Sequence, residues 1–201
     1  MERVINYVNA LQDSINQLPK DRIVSVIDLL HSARLVGRQI FIMGNGGSAS
    51  TATHFVCDLA KNTRKAGWPH YRVIGLSDNM AIFSAYANDE GYESVFAQQL
   101  ANLIMPEDIV IGISASGNSK NVLNAMELAK SQNATTIGFT GFDGGPLASL
   151  VDINIHVNST IIEHVEDIHL ILEHMIVKAL REQVYSETMT DILLENIQSP
   201  Q

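Results

Sequence analysis

His54 and Asp58 stand four residues apart, and a second set of ionisable groups, Glu163, His164, Glu166, Asp167, His169, Glu173 and His174, is gathered near the C-terminal end. On a helix, residues four apart leave one face about a turn from each other. An imidazole and a carboxylate so placed can share a metal ion or divide the work of a proton transfer. An isolated pair can equally be a surface ion pair. In the later set Glu166, Leu170 and His174 step by four along one side, and His169 and Glu173 form a neighbouring pair. Glu173 and Glu182 are read as solvated charges, the default on a long helix. Together His54, Asp58, Glu166 and His174 offer the nitrogen and oxygen ligands that zinc takes, provided the two helices meet.

Two turns could hold an anion near these groups. Gly44-Asn45-Gly46-Gly47-Ser48-Ala49-Ser50 follows an apolar run and precedes a helical pattern; Gly46 and Gly47 let a ligand approach the backbone, and Ser48 and Ser50 are candidate caps. The stretch lacks the third glycine of a dinucleotide fingerprint and the Gly-Lys-Ser/Thr of a Walker loop, so it does not imply a nucleotide. The second turn, Ser114-Ala115-Ser116-Gly117-Asn118-Ser119, sits between a buried strand pattern and another helix. A strand-to-helix turn points backbone N–H groups and the positive end of the helix at one spot, and Ser114, Ser116 and Ser119 add hydroxyl donors there. This is a pocket for a phosphate.

The elements needed to carry these turns follow from periodicity. Val4, Val8, Leu11, Ile15 and Leu18 form the stripe of an amphipathic helix, which could dock on the domain or pair with another subunit. Pro19 ends it, Asp21 is a candidate N-cap, and a second helix is expected over 22–36. Short apolar runs predict strands at 39–43, 71–75, 108–113, 135–140 and 152–156, with helices between them and one long helix over 161–183. Helical stretches at 81–87 and 92–103 are separated by Asn88-Asp89-Glu90-Gly91. Alternation of this kind predicts an α/β fold with a doubly wound, five-stranded parallel sheet flanked by helices, whose ligands sit beyond the carboxyl ends of the strands.

Length and composition set the outer limits. The 201 residues suit one domain, with a core over about 37–183, N-terminal helices over 2–36 and a polar tail over 184–201. The formal charge of -9 argues against a general nucleic-acid binder. One cysteine, Cys57, excludes an intrachain disulfide and a Cys-rich zinc site, and it is expected to pack as a small hydrophobe. With no signal pattern and no apolar run of ~20 residues, a soluble cytoplasmic protein with no membrane partner is expected.

The order and spacing of the motifs add a resemblance. Gly44-Asn45-Gly46-Gly47-Ser48 with His54 and Asp58, the serine turn, Thr140-Gly141-Phe142-Asp143-Gly144-Gly145, and Glu166-Asp167-Ile168-His169 with His174 resemble the sugar isomerase (SIS) domain family over residues 4–182. Within it they are most similar to phosphoheptose isomerases, which convert sedoheptulose 7-phosphate to D-glycero-D-manno-heptose 7-phosphate for lipopolysaccharide or capsule heptose. The resemblance implies a homotetramer with active sites between subunits. Ser114, Ser116 and Ser119 would bind the sugar phosphate with help from Asn45, Gly46, Gly47 and Ser48, while Asn88, Asp89 and Glu166 would help to hold the substrate. Asp58 and His174 would be the acid–base pair, and zinc would be held by these two with His54 and Glu166. A second branch implies another reading, a non-catalytic SIS tetramer that binds a replication-initiation protein or senses a phosphosugar; that branch lacks the acid–base pair.

Four positions depart from the isomerase pattern: Asp58 for glutamate, Asn62 for arginine, Ala115 for threonine and Glu166 for glutamine. Asp58 draws its oxygens back by about one C–C bond, ~1.5 Å. Glu166 adds negative charge, which favours a cation.

Overall fold

The computed structural model describes residues 1–186; the part of the expected tail beyond them lies outside the described residues. Two helices, α1 (Glu2–Asn16) and α2 (Lys20–Val36), precede the first strand. The strands are β1 (Gln39–Gly44), β2 (Arg72–Gly75), β3 (Ile109–Ile113), β4 (Thr135–Thr140) and β5 (Ile153–His156). Between and after them run α3 (Gly47–Lys61), α4 (Met80–Asp89), α5 (Val95–Ala101), α6 (Lys120–Ser131), α7 (Gly145–Leu150) and α8 (Ile162–Ser186).

All strand pairs are parallel and the sheet order is β2-β1-β3-β4-β5. The five-stranded parallel sheet flanked by helices is the architecture expected from the alternating pattern. Successive strand residues feed opposite faces, as the pleat requires. Ile40, Ile42, Ile109, Ile111, Ile113, Ile137 and Phe139 pack with α2, α3 and α8, whereas Phe41, Met43 and Val110 pack with α5, α6 and α7. Both faces are therefore covered, which is why the strands read as continuous apolar runs.

The chain leaves β1 toward β2 through α3 on one face, and leaves β3 toward β4 through α6 on the other. The carboxyl ends of β1 and β3 consequently flank the topological switch point, where a crevice opens in sheets of this kind. The glycine turn and the serine turn are these two ends.

Several local expectations shift. Helix α2 starts at Lys20 with Pro19 at its N-cap, so Asp21 lies in the first turn and not at the cap. Proline suits this place because an N-terminal N–H would have no helical acceptor. Gly37, at φ 73°, closes the helix in the left-handed conformation. Helix α4 continues through Asn88 and Asp89, past the break expected there. Cys57 is exposed, contrary to the expectation of packing, because it faces away from the stripe of Phe55 and Leu59 that buries α3. The stripe of α1 divides: Leu11 and Ile15 pack on the core, while Val4 and Val8 stay exposed, as does Ile5, which lies outside the stripe.

Candidate active site

The serine turn is built before any ligand arrives. Gly117 has φ 66°, and a Cβ there would lie 1.9 Å from the Gly144 carbonyl oxygen, so only glycine fits. That close approach seats the turn against the loop after β4, where Gly141 N–H donates to the Ala115 carbonyl at 2.8 Å and Leu147 N–H to the Gly117 carbonyl at 3.2 Å. Ser114 Oγ donates to Ser119 Oγ at 3.1 Å, and Asn118 N–H donates to Ser116 Oγ at 3.3 Å. Ser119 is the N-cap residue of α6, which places its hydroxyl at the positive end of that helix.

An amide clasp joins this turn to the glycine turn. Asn45 and Asn121 exchange two hydrogen bonds, each 2.9 Å, and Tyr92 Oη donates to Asn45 Oδ1 at 2.7 Å. Neither Asn121 nor Tyr92 is marked out by sequence; Asn121 looks like one more polar residue in the first turn of α6. Gly46 is the N-cap of α3 and no side chain caps this helix, so Ser48 and Ser50 do not take the capping role expected for them. Ser48 is instead buried and faces the pocket.

The pocket measures about 270 Å³ and is lined by Asn45, Ser48, Ser114, Ser116, Ser119 and Glu166, with Ile113, Ala115, Phe142 and Ile162 around them. The Glu166 carboxylate lies where a Cβ on Gly47 would come within 2.3 Å, so glycine at 47 makes room for it. Asn88 and Asp89 lie at the exposed end of α4, outside this lining.

The imidazoles and carboxylates converge from α3 and α8, which pack against each other. His54, Asp58, Glu173 and His174 each offer one ligand atom, all within 4.8 Å of one another. His54 Nε2 is 3.7 Å from Asp58 Oδ2, and the His54 and His174 rings meet edge to face at 4.9 Å. Asn62 Nδ2 donates to Asp58 Oδ1 at 2.7 Å, which fixes the carboxylate and leaves Oδ2 turned to His54.

Glu173, expected in solvent, is fully buried, a correction that follows from its register on α8. It shares the inward stripe of Val165, Ile168, Leu172, Ile176 and Leu180, all at 0% exposure. Neither of its oxygens accepts a hydrogen bond, although His174 Nε2 stands 3.3 Å from Oε2. Burial, and next the negative Asp58, push its carboxyl up to about 8. Among the described residues Glu166 is not part of this convergence, although the sequence grouped it with His54, Asp58 and His174. His169, one turn from Glu173, is buried with Nε2 3.3 Å from the Thr140 carbonyl, and burial lowers its pKa to about 4.

The converging set fits a divalent cation. Two neutral imidazoles and two carboxylates match zinc chemistry, and a buried carboxylate without a donor is the group that a cation would satisfy.

The SIS domain model matches residues 4–141. The chain belongs to the SIS domain family. This SIS protein is 37% identical over 163 residues to a probable phosphoheptose isomerase of Thermoplasma acidophilum, covering 81% of this chain and 89% of the relative. It is 36% identical over 179 residues to the phosphoheptose isomerase of Geotalea daltonii, covering 88% and 92%. Among solved structures, it superposes on phosphoheptose isomerase from Neisseria gonorrhoeae with a TM-score of 0.83 at 26% identity, covering 90% of this chain and 98% of the other. The phosphoheptose isomerase from Francisella tularensis gives 0.83 at 28% identity, covering 90% and 97%. The SIS fold and the order of its turns agree with the expectation from sequence.

Proposed function

We propose that this SIS protein is a phosphoheptose isomerase that interconverts sedoheptulose 7-phosphate and D-glycero-D-manno-heptose 7-phosphate. The observation that carries the reading is the pairing of a hydroxyl-lined pocket at the strand ends with an imidazole–carboxylate cluster where α3 meets α8, in a chain whose relatives bear that name.

The chemistry assigns each part a task. Ser114, Ser116 and Ser119 hold the phosphate, with Asn45, Gly46, Gly47 and Ser48 on the facing turn. Anchoring the phosphate fixes the distance from it to the reacting carbons and removes most of the orientational cost of the reaction. In the ketose-to-aldose direction Asp58 takes the proton from C1 while His174 gives one to the C2 oxygen, which leaves the enediol. His174 then takes the proton from the C1 oxygen, and Asp58 returns its proton to C2, so the protons balance. Asn62 holds Asp58 in place through the 2.7 Å bond to Oδ1. A divalent cation, zinc in this reading, supplies Lewis-acid polarisation of the carbonyl oxygen when bound with His54, Asp58 and His174. A group that ligates is a weaker acid or base, so ligation and proton transfer fall on different members or different oxygens of the set.

The oligomer belongs to the same reading. The exposed Val4, Ile5 and Val8 on α1 are a surface for further copies, and a homotetramer with active sites between subunits is part of the proposal. Among the described residues no helix is long and apolar enough to cross a membrane, and a cytoplasmic site for heptose synthesis is part of the proposal.

The test is turnover of sedoheptulose 7-phosphate by the purified protein, with and without zinc, beside Asp58→Ala and His174→Ala. The wild-type chain is expected to turn over and both variants to lose activity. No turnover under any condition overturns the reading.

A further inference from the structure

We propose that Glu173, and not Glu166, is the carboxylate of α8 that ligates the cation, which leaves Glu166 to face the substrate. The inference rests on the isomerase reading only for the role of Glu166; the cation site itself stands on geometry.

The two glutamates are seven residues apart on one helix, two turns or about 10.5 Å along its axis. They occupy different surroundings. Glu166 is half-buried and lines the pocket with Ser48, Ser114 and Ser119. Its carboxylate lies at the mouth of the glycine turn, where a polyhydroxylated substrate offers O–H donors. Glu173 lies at 0% exposure beside three other candidate ligands, His54, Asp58 and His174, with no hydrogen-bond partner for either oxygen.

That difference decides which of the two would gain from a cation. A buried carboxyl without a partner meets a large desolvation penalty whenever it ionises, and a cation beside it would offset that penalty. Nothing else in the cluster relieves it: Asp58 brings like charge, and His174 Nε2, although 3.3 Å from Oε2, completes no hydrogen bond to it. A dication would meet two carboxylates and two neutral imidazoles, so the set of four with the ion is neutral in charge. Asp58 is already prepared, since Asn62 occupies Oδ1 and leaves Oδ2 toward His54, a supporting contact of the kind that orients metal ligands. Glu166 has no such need, because solvent and substrate hydroxyls can both reach it.

Titration of the metal-stripped full-length protein with Co2+, followed by its visible absorption, tests the assignment without relying on turnover. The wild-type chain and Glu166→Gln are expected to bind Co2+ with affinities within about 3-fold and with the same band, while Glu173→Gln loses on the order of 100-fold. Loss of Co2+ binding in Glu166→Gln with retention in Glu173→Gln overturns the proposal. So does equal binding by all three, or a wild-type chain that takes up no Co2+. Should Glu173→Gln not fold, as circular dichroism would report, Glu173→Asp takes its place; it is expected to bind more weakly and to shift the band, and an unchanged spectrum overturns the proposal. A protein that binds Co2+ through Glu173 but does not turn over sedoheptulose 7-phosphate would sink the isomerase reading alone.

Discussion

The serine turn and the imidazole–carboxylate cluster both involve α8, through Glu166 and through Glu173 with His174, yet their polar groups are in opposite states. In the turn, Ser114 is already bonded to Ser119, Ser116 accepts from Asn118, and Asn45 and Asn121 hold each other. In the cluster, Glu173 is buried with two unpartnered oxygens and His54 stands 3.7 Å from Asp58. A turn that must receive a phosphate in one geometry gains from being rigid beforehand, because its hydroxyls then lose little freedom on binding. A cluster that must move protons or accept a cation gains from groups whose polar atoms are left unpartnered and whose ionisation burial opposes, and it loses stability for that reason. Anchor and chemistry are thus separated in energy as well as in space.

The contrast can be broken most directly at the cluster. His174→Ala should lower kcat for sedoheptulose 7-phosphate by on the order of 1,000-fold, within the range for loss of a general acid or base, with KM changed little. A KM effect without a kcat effect would place His174 in binding. At the turn the signature reverses: Ser114→Ala removes a donor to a dianion, and KM should rise by about 10-fold while kcat holds within a few-fold. Steady-state kinetics on the two variants side by side separates anchor from chemistry, and matching profiles would erase the distinction.

Smaller effects concern stability. Because Glu173 lacks a donor in the metal-free chain, Glu173→Gln should raise the metal-free thermal midpoint, by about 3 °C for a gain of about 1 kcal/mol, whereas Ser114→Ala should lower it. A lower midpoint in Glu173→Gln would mean that the carboxylate has a partner in solution.

His169 gives the smallest effect at neutral pH and one that grows with acid. Its pKa falls from 6.5 to about 4 on burial, so the folded chain keeps it neutral while the unfolded chain protonates it. The stability it contributes is present above pH 6.5 and is lost as pH falls from there through about 4. Urea midpoints measured across that window should decline more steeply for the wild-type chain than for His169→Phe. Parallel profiles would show that His169 does not carry the effect.

The two regions also differ in how far they could be read from the chain. The serine turn is local: strand pattern, small hydroxyl residues, a glycine and a helix pattern lie within about twenty residues, and each has its meaning at short range. The parallel sheet was legible for a related reason, since runs covered on both faces leave a continuous apolar signal. The cluster is different. His54 and Asp58 could be paired by their spacing, but α3 and α8 are separated by about a hundred residues, and which side of α8 meets α3 is set by packing. Counting fours led from Glu166 to His174, whereas the inward stripe of α8 runs through Leu172 and Ile176 and carries Glu173 with it. A carboxylate at a stripe position is the available signal, but most charges on a long helix are solvated, and no local pattern sets this one apart.

What the sequence determined by itself, then, was the alternation of strands and helices, the two ligand turns at strand ends, and the kinds of side chain that could do chemistry. Each is written in contacts between near neighbours, where spacing fixes geometry. Tertiary structure decided the rest: that Asn121 and Tyr92 clasp Asn45, that Cys57 faces outward, and that Glu173 joins His54, Asp58 and His174 while Glu166 faces the serine turn. Those choices depend on how helices rotate and dock to fill a core, a balance over many buried contacts that no local pattern contains.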